Sequence, residues 1–244
     1  MLWTSRQMLP NLLSLVGVGI IIGCTDYRAV SGDGVVSDID RSEYCTYCHG
    51  TKGISIAPPP DTEGNKSSIA RGVGAHKRHV DDKGILCETC HKVPQSLEDE
   101  GHMDSKPPAE VVFNGLAVAH GAKPSVEYVN GTTVMCKNVY CHGAVLNGGS
   151  NTTPKWNGEE EELKTFGACG ACHGLPPNTG KHWIHSVLGF DCSMCHKTVY
   201  QDGKIVREDL HVNGNKDVSL SVGTYNSYLK RCSGVCHEDR SWQD

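Results

Sequence analysis

One arrangement of reactive side chains recurs through this chain: two cysteines a short step apart, with a histidine directly after the second. Four units separate the thiols by two residues, at Cys45, Cys48 and His49, at Cys87, Cys90 and His91, at Cys169, Cys172 and His173, and at Cys192, Cys195 and His196. Two are wider, with four residues between Cys136 and Cys141 before His142, and three between Cys232 and Cys236 before His237. Together they use every cysteine except Cys24. Thiols at such spacing can each bond one vinyl group of the same haem, and the adjoining histidine is placed to ligate the iron. The pattern predicts six haem c groups, each with one of these six histidines as its proximal ligand.

A disulfide framework is the main structural competitor for twelve thiols in an exported chain. It gives no reason for a histidine after the second cysteine of all six pairs. Zinc ribbons also pair cysteines, but four ligands satisfy zinc and none of them need be this fixed histidine.

Iron in a porphyrin has a second axial position, and seven histidines remain to fill it. His182 and His185 lie three residues apart, on one face if the segment is helical, between two attachment units. His76 and His79 repeat that spacing. Aligning the two halves sets His76, His79 and His102 opposite His182, His185 and His211, three distal candidates for three haems in each half. His120 has no counterpart and is expected to be a surface or packing residue. Of the methionines, Met103 alone is a credible alternative ligand, since Met135 abuts an attachment unit and Met194 lies within one. The expectation is bis-histidine, low-spin, low-potential haems throughout.

The elements that must position these ligands are expected to be slight. An internal duplication organises the chain: a first three-haem repeat over residues 45–143, a linker over 144–168 and a second repeat over 169–244. Each repeat runs attachment unit, proline cluster, Gly-x-His-x-x-His, attachment unit, histidine, apolar stretch, attachment unit. The fold class predicted is mostly irregular chain with short α-helices around haem, with brief strands at 110–113 and 218–222. Gly and Pro punctuate the rest. With 3 Phe, 28 Gly and 38% hydrophobic residues, the polypeptide alone is poorly supplied with core side chains, so the porphyrins themselves are expected to form the core. The acids at 159–162 mark the linker as a solvated stretch.

Ahead of the repeats, residues 1–23 carry Arg6, an apolar run too short to span a bilayer, and Ile21-Ile22-Gly23-Cys24. This reads as a lipoprotein signal peptide, with Cys24 acylated and residues 24–44 a polar tether. Thr25 after the cysteine points away from retention at the inner membrane, so an outer-membrane or cell-surface location is expected, with the periplasmic face as the alternative. Cleavage removes one basic residue, leaving 22 basic against 28 acidic, or −6. That balance argues against nucleic acid and fits cationic or haem-bearing redox partners.

The residues Asn138-Val139-Tyr140-Cys141-His142-Gly143, Pro154-x-Trp156-Asn157-Gly158 and Cys169-x-x-Cys172-His173-Gly174-Leu175-Pro176-Pro177 resemble the Geobacter-type CxxxxCH/CxxCH multihaem cytochromes. So does the series from Gly74 to Phe113. The resemblance spans about residues 43–238 and implies an exported electron-transfer protein of metal-reducing respiration. Its partners would be other multihaem cytochromes or an outer-membrane conduit, with homo-oligomers or a filament as further forms. The spacing at 232–237 departs from the first repeat's CxxxxCH. The alternative function is a multihaem reductase of a small oxyanion such as nitrite. That chemistry needs an iron with an open position, whereas all six units end in histidine and six distal candidates exist. No catalytic side chain is expected.

Overall fold

The computed structural model describes residues 45–234 and 236–242, so the signal peptide, the tether and the lipidation site Cys24 lie outside the described residues. The architecture is mostly irregular, as expected, with helices of one or two turns and small sheets. The helices are α1 (His76–Val80), α2 (Glu160–Lys164), α3 (His182–Val187), α4 (Ser193–His196) and α5 (Glu208–His211). The sheets are a hairpin of β1 (Ser125–Val129) and β2 (Thr133–Lys137), a hairpin of β3 (Tyr200–Gln201) and β4 (Lys204–Ile205), and a meander of β5 (Thr224–Asn226), β6 (Arg231–Gly234) and β7 (His237–Ser241). Among the described residues no helix is long and apolar enough to cross a membrane.

Such short elements cannot hold themselves together, because an isolated helix this short or a lone hairpin is marginal in water. Apolar burial adds little. The buried hydrophobic residues are small or medium in size, among them Ile56, Val73, Ala117, Val134, Val139 and Leu163, and none of the described side chains is both large and fully enclosed. What the chain encloses instead is a cavity of about 2870 Å³ running through both repeats. A cleft for one small molecule holds roughly 300–1,000 Å³. The centre of this fold is therefore space shaped for several large groups.

The two repeats follow one backbone plan. Val112 N donates to Cys90 O and Asn114 N to Thr89 O, both at 2.9 Å; Ser219 N donates to Cys195 O at 2.9 Å and Ser221 N to Met194 O at 2.8 Å. These rungs fall where strands were expected at 110–113 and 218–222. The segments are laced to an attachment unit by single rungs and join no sheet. Two of the sheets lie further on, where a hairpin presents the first cysteine of the third unit in each repeat: Cys136 pairs with Val126, and Cys232 with Tyr225.

The segment read as a solvated linker is solvated only in part. Glu159, Glu160 and Glu161 are exposed, but Asn157 is buried. Its Nδ2 donates to Ile69 O at 2.7 Å and Thr132 O at 3.0 Å, while its Oδ1 accepts from Val134 N at 2.8 Å. Ser68 Oγ donates to Gly158 O at 2.8 Å, and Arg78 pairs with Glu160 at 2.9 Å. Residues 154–160 are stitched onto the first repeat.

Candidate haem sites

Five pairs of imidazoles face one another, and of their ten rings all but His237 line the cavity. Ring centroids lie 6.1 Å apart for His76 and His91, 6.0 Å for His79 and His142, 6.3 Å for His173 and His211, 6.3 Å for His182 and His196, and 6.4 Å for His185 and His237. Each pair joins one histidine that closes an attachment unit to one distal candidate. A metal–nitrogen bond of about 2.0 Å on each side, plus roughly 1.15 Å from nitrogen to ring centre, would set two axial imidazoles about 6.3 Å apart. All five distances sit at that value. Among the described residues no three His, Cys, Asp or Glu side chains converge as a metal site. An iron between two imidazoles would therefore take its other four ligands from a group the protein does not supply, which is what a porphyrin brings.

Local hydrogen bonding prepares the rings for this. His76 Nδ1 donates to Val73 O at 2.9 Å and His182 Nδ1 to Thr179 O at 2.6 Å, each three residues back; His79 Nδ1 donates to Ala75 O at 2.9 Å and His185 Nδ1 to Lys181 O at 2.8 Å, each four back. His91 and His196 donate to Glu110 O and Asp217 O at 2.8 and 2.7 Å, and His49, His173 and His237 to Ile56 O, Gly174 O and Glu238 O, all at 2.8 Å. A carbonyl only accepts, so Nδ1 carries the proton and Nε2 keeps its lone pair for a metal. The buried Nδ1 of His142 makes no hydrogen bond.

Burial reinforces the neutral form. Desolvation pushes His76 and His142 down to about 4, with neighbouring imidazoles acting in the same direction, and lowers His79, His182 and His211. Burial also pushes Cys90 up to about 12, and Cys136 and Cys141 to about 11. These are neutral thiols, held protonated by their burial. Cys48 and the ten attachment cysteines of the other five units are free thiols. Of the twelve attachment cysteines all but Cys236 line the cavity; Cys236 is exposed, in the unit with the odd spacing.

His49 and His102 also line the cavity, and His102 Nδ1 donates to Leu97 O at 3.1 Å. Among the described residues these two rings do not form the close pair seen at the other five sites. Met103, the alternative ligand, is exposed but lines the same cavity. His120 stands apart from the twelve expected ligands. Its Nε2 bonds Gly214 O at 2.6 Å, and its ring lies 5.2 Å from Tyr140, so the nitrogen a metal would need is already used in joining the two repeats.

The third and fourth units abut. Cys172 Sγ lies 3.6 Å from Cys141 O, Gly174 N donates to Asn147 O at 2.8 Å, and Ser150 N to Gly170 O at 2.9 Å. Gly143, at φ +91, has no room for a Cβ against the Cys172 carbonyl. Glycine is required where two backbones come this close.

Sequence reasoning missed two residues at the sites, Trp156 and Trp242. Each indole sits against both rings of one His-x-x-His pair: Trp156 is 4.7 Å from His76 and 5.7 Å from His79, and Trp242 is 5.1 Å from His182 and 5.3 Å from His185. The available signal was the glycine two residues before each pair. Gly74 and Gly180 have positive φ, and a Cβ on either would collide with indole Nε1.

Residues 135–173 match the family model described as the Geobacter CxxxxCH...CXXCH motif. No curated protein and no solved structure matches the chain. The matched stretch runs from the third attachment unit through the fourth, across the junction where the repeats abut. It carries the haem-binding motif of multihaem c-type cytochromes and supports an electron-transfer cytochrome with haem c.

Proposed function

We propose that this multihaem cytochrome holds six haem c groups in one continuous row and passes single electrons along it. The observation that carries the reading is the fivefold recurrence of facing imidazoles at 6.0–6.4 Å, always one from an attachment unit and one from a distal candidate. The axial pairs would be His91 with His76, His142 with His79, His173 with His211, His196 with His182 and His237 with His185. By correspondence of the repeats, His49 takes His102. Bound haem supplies the one-electron chemistry of its iron.

The polypeptide's part is binding and tuning. Backbone carbonyls fix the Nδ1–H tautomer and make Nε2 a better donor. Burial favours the neutral form of His76, His79, His142, His182 and His211, and two imidazoles per iron favour a low potential. The contact of Cys141 with Cys172 supports a row that continues from one repeat into the next.

Export as a lipoprotein to the outer membrane or cell surface, with another haem protein or a conduit as redox partner, is the setting we infer. It is supported by the leader, by the acidic balance and by covalent haem attachment.

Intact mass with a haem count per chain tests the six attachments, and visible spectra before and after carbon monoxide test the axial positions. Six haems, low-spin in both oxidation states and inert to carbon monoxide, are expected. A colourless protein would end the proposal. Rapid carbon monoxide binding would replace conduction with a reductase, and its open iron would be sought first at His49.

A further inference from the structure

We propose that Trp156 and Trp242 are positioning residues whose indoles set the planes of the distal imidazoles, dividing the axial pairs into a near-parallel class and a crossed class. The inference rests on the ligand assignment above and extends it to how the irons differ.

The two tryptophans are equivalent in space although not in spacing. Trp156 N donates to Val134 O at 2.7 Å, and Trp242 N donates to Lys230 O at 2.7 Å. Val134 and Lys230 each lie two residues before the first cysteine of a third attachment unit. In both repeats a strand-like segment runs antiparallel beside that cysteine, through a bridge between Met135 and Lys155 in one and the pairing of Cys232 with Arg240 in the other. Each delivers its indole to the glycine before the His-x-x-His pair.

The angles repeat as well. Trp156 stands at 88° to His76 and 28° to His79; Trp242 stands at 90° to His182 and 24° to His185. An imidazole bonded at Nδ1 and ligated at Nε2 can still turn about the line between those atoms. An aromatic edge or face against the ring prevents that turn. One indole touching one ring edge-on and the next face-on holds the two rings well rotated from each other.

The consequence appears across each site. Rings held edge-on lie nearly parallel to their partners, at 23° for His76 with His91 and 13° for His182 with His196. Rings stacked on the indole are crossed, at 68° for His79 with His142 and 52° for His185 with His237. His173 and His211 are crossed at 73°, and among the described residues no indole lies against either ring. They serve as an internal control. Parallel imidazoles donate into the same iron d orbital and split the pair of π-type orbitals, whereas crossed ones leave that pair nearly degenerate. A ferric low-spin iron therefore gives a rhombic electron paramagnetic resonance (EPR) signal in the first case and a highly anisotropic one in the second.

The test uses the full haem-loaded chain, its haem count and low-temperature EPR of the oxidised protein. Trp156→Leu should shift the signals of two irons, those of the His76 and His79 sites, and leave the remainder in place. Trp242→Leu should do the same for the His182 and His185 sites. Trp156→Phe keeps an aromatic face but loses the Nε1–H bond to Arg71 O, 2.8 Å in the wild type, and should shift the same two signals by less. Where a Leu variant binds fewer haems, its Phe counterpart is read by the same criterion. EPR spectra superimposable on wild type at full haem count would overturn the proposal. Failure of the ligand assignment would show earlier, as high-spin signals or missing haem in the wild type.

Discussion

The two repeats build the same sites under different cover. In the first, Ile56, Ala57, Val73, Ala75, Ala117, Ala122, Val134 and Val139 are buried, and α2 with buried Leu163 lies alongside, tied to α1 through Arg78 and Glu160. In the second, the buried hydrophobic residues are Ala171 and Val199. On α3, Trp183 and Val187 are each 66% exposed, at positions that correspond to Lys77 on α1 and to Asp81 just after it. Yet corresponding imidazole pairs differ in separation by 0.2 Å and 0.4 Å, and the Nδ1 bonds run three and four residues back in both. Site geometry here is set by short-range backbone bonds and a wedged indole, while depth of burial varies around it.

If so, the two halves should differ most in their dependence on haem. Cys192→Ala with Cys195→Ala should remove one haem and open the second repeat, with cleavage within 169–242 by an added protease accelerating roughly 100-fold, or about 2.7 kcal/mol of local opening free energy. Cys87→Ala with Cys90→Ala should also remove one haem, but the first repeat retains apolar contacts and its cleavage should rise far less. Equal sensitivity would mean that the buried residues of the first repeat contribute little.

Acid should separate the halves more gently. The folded-state pKa of His76 is depressed to about 4 by burial, against an ordinary 6.5. Above pH 6.5 neither folded nor unfolded chain protonates this ring. As pH falls from 6.5 towards 4, the unfolded chain takes up a proton that the folded chain refuses, and stability is lost by up to about 3 kcal/mol. Iron ligation, which also needs neutral imidazole, acts with the same sign. Rings in the thinly covered second repeat should release first. High-spin absorbance should therefore grow in two steps on acidification. His182→Ala, already high-spin at one site at neutral pH, should shrink the first step, and His76→Ala should leave it intact. A single step shared by both variants would contradict the difference in cover.

Chemistry-bearing residues were legible because their spacing is dictated by covalent and coordination geometry: a vinyl pair needs two nearby thiols, and one helical turn sets His-x-x-His. Correspondence of the repeats was legible for the same reason, and Glu110 and Asp217 duly fall at matching carbonyls. Trp156 and Trp242 were hidden because they reach equivalent places from unequal distances, 20 residues after Cys136 and 10 after Cys232. A tertiary contact of that kind leaves no periodicity. The hairpins were missed although Asn130-Gly131 and Asp202-Gly203, all four at positive φ, are strong turn signals. These strands are only two to five residues long, too short for apolar alternation to show. Asn157 looked like part of a polar linker because sequence alone does not show that its amide replaces missing backbone partners for three segments.

The smallest effect belongs to the joint between the halves, and it tests whether His120 is a ligand or a clasp. His120 has φ +54, a region histidine tolerates better than most residues, and that conformation aims Nε2 at Gly214 O. Lys83 and Glu208 form an ion pair across the same boundary, exposed and so of slight value. His120→Ala removes one hydrogen bond and the Tyr140 contact and puts alanine at positive φ, which together should cost about 1–2 kcal/mol. His120→Asn, more at ease at positive φ, should recover part of it. Neither variant should alter haem count, spin state or any EPR signal, because the twelve proposed ligands leave Nε2 free and His120 does not. A new high-spin haem in His120→Ala would move this residue among the ligands and make the two repeats unequal in chemistry as well as in cover.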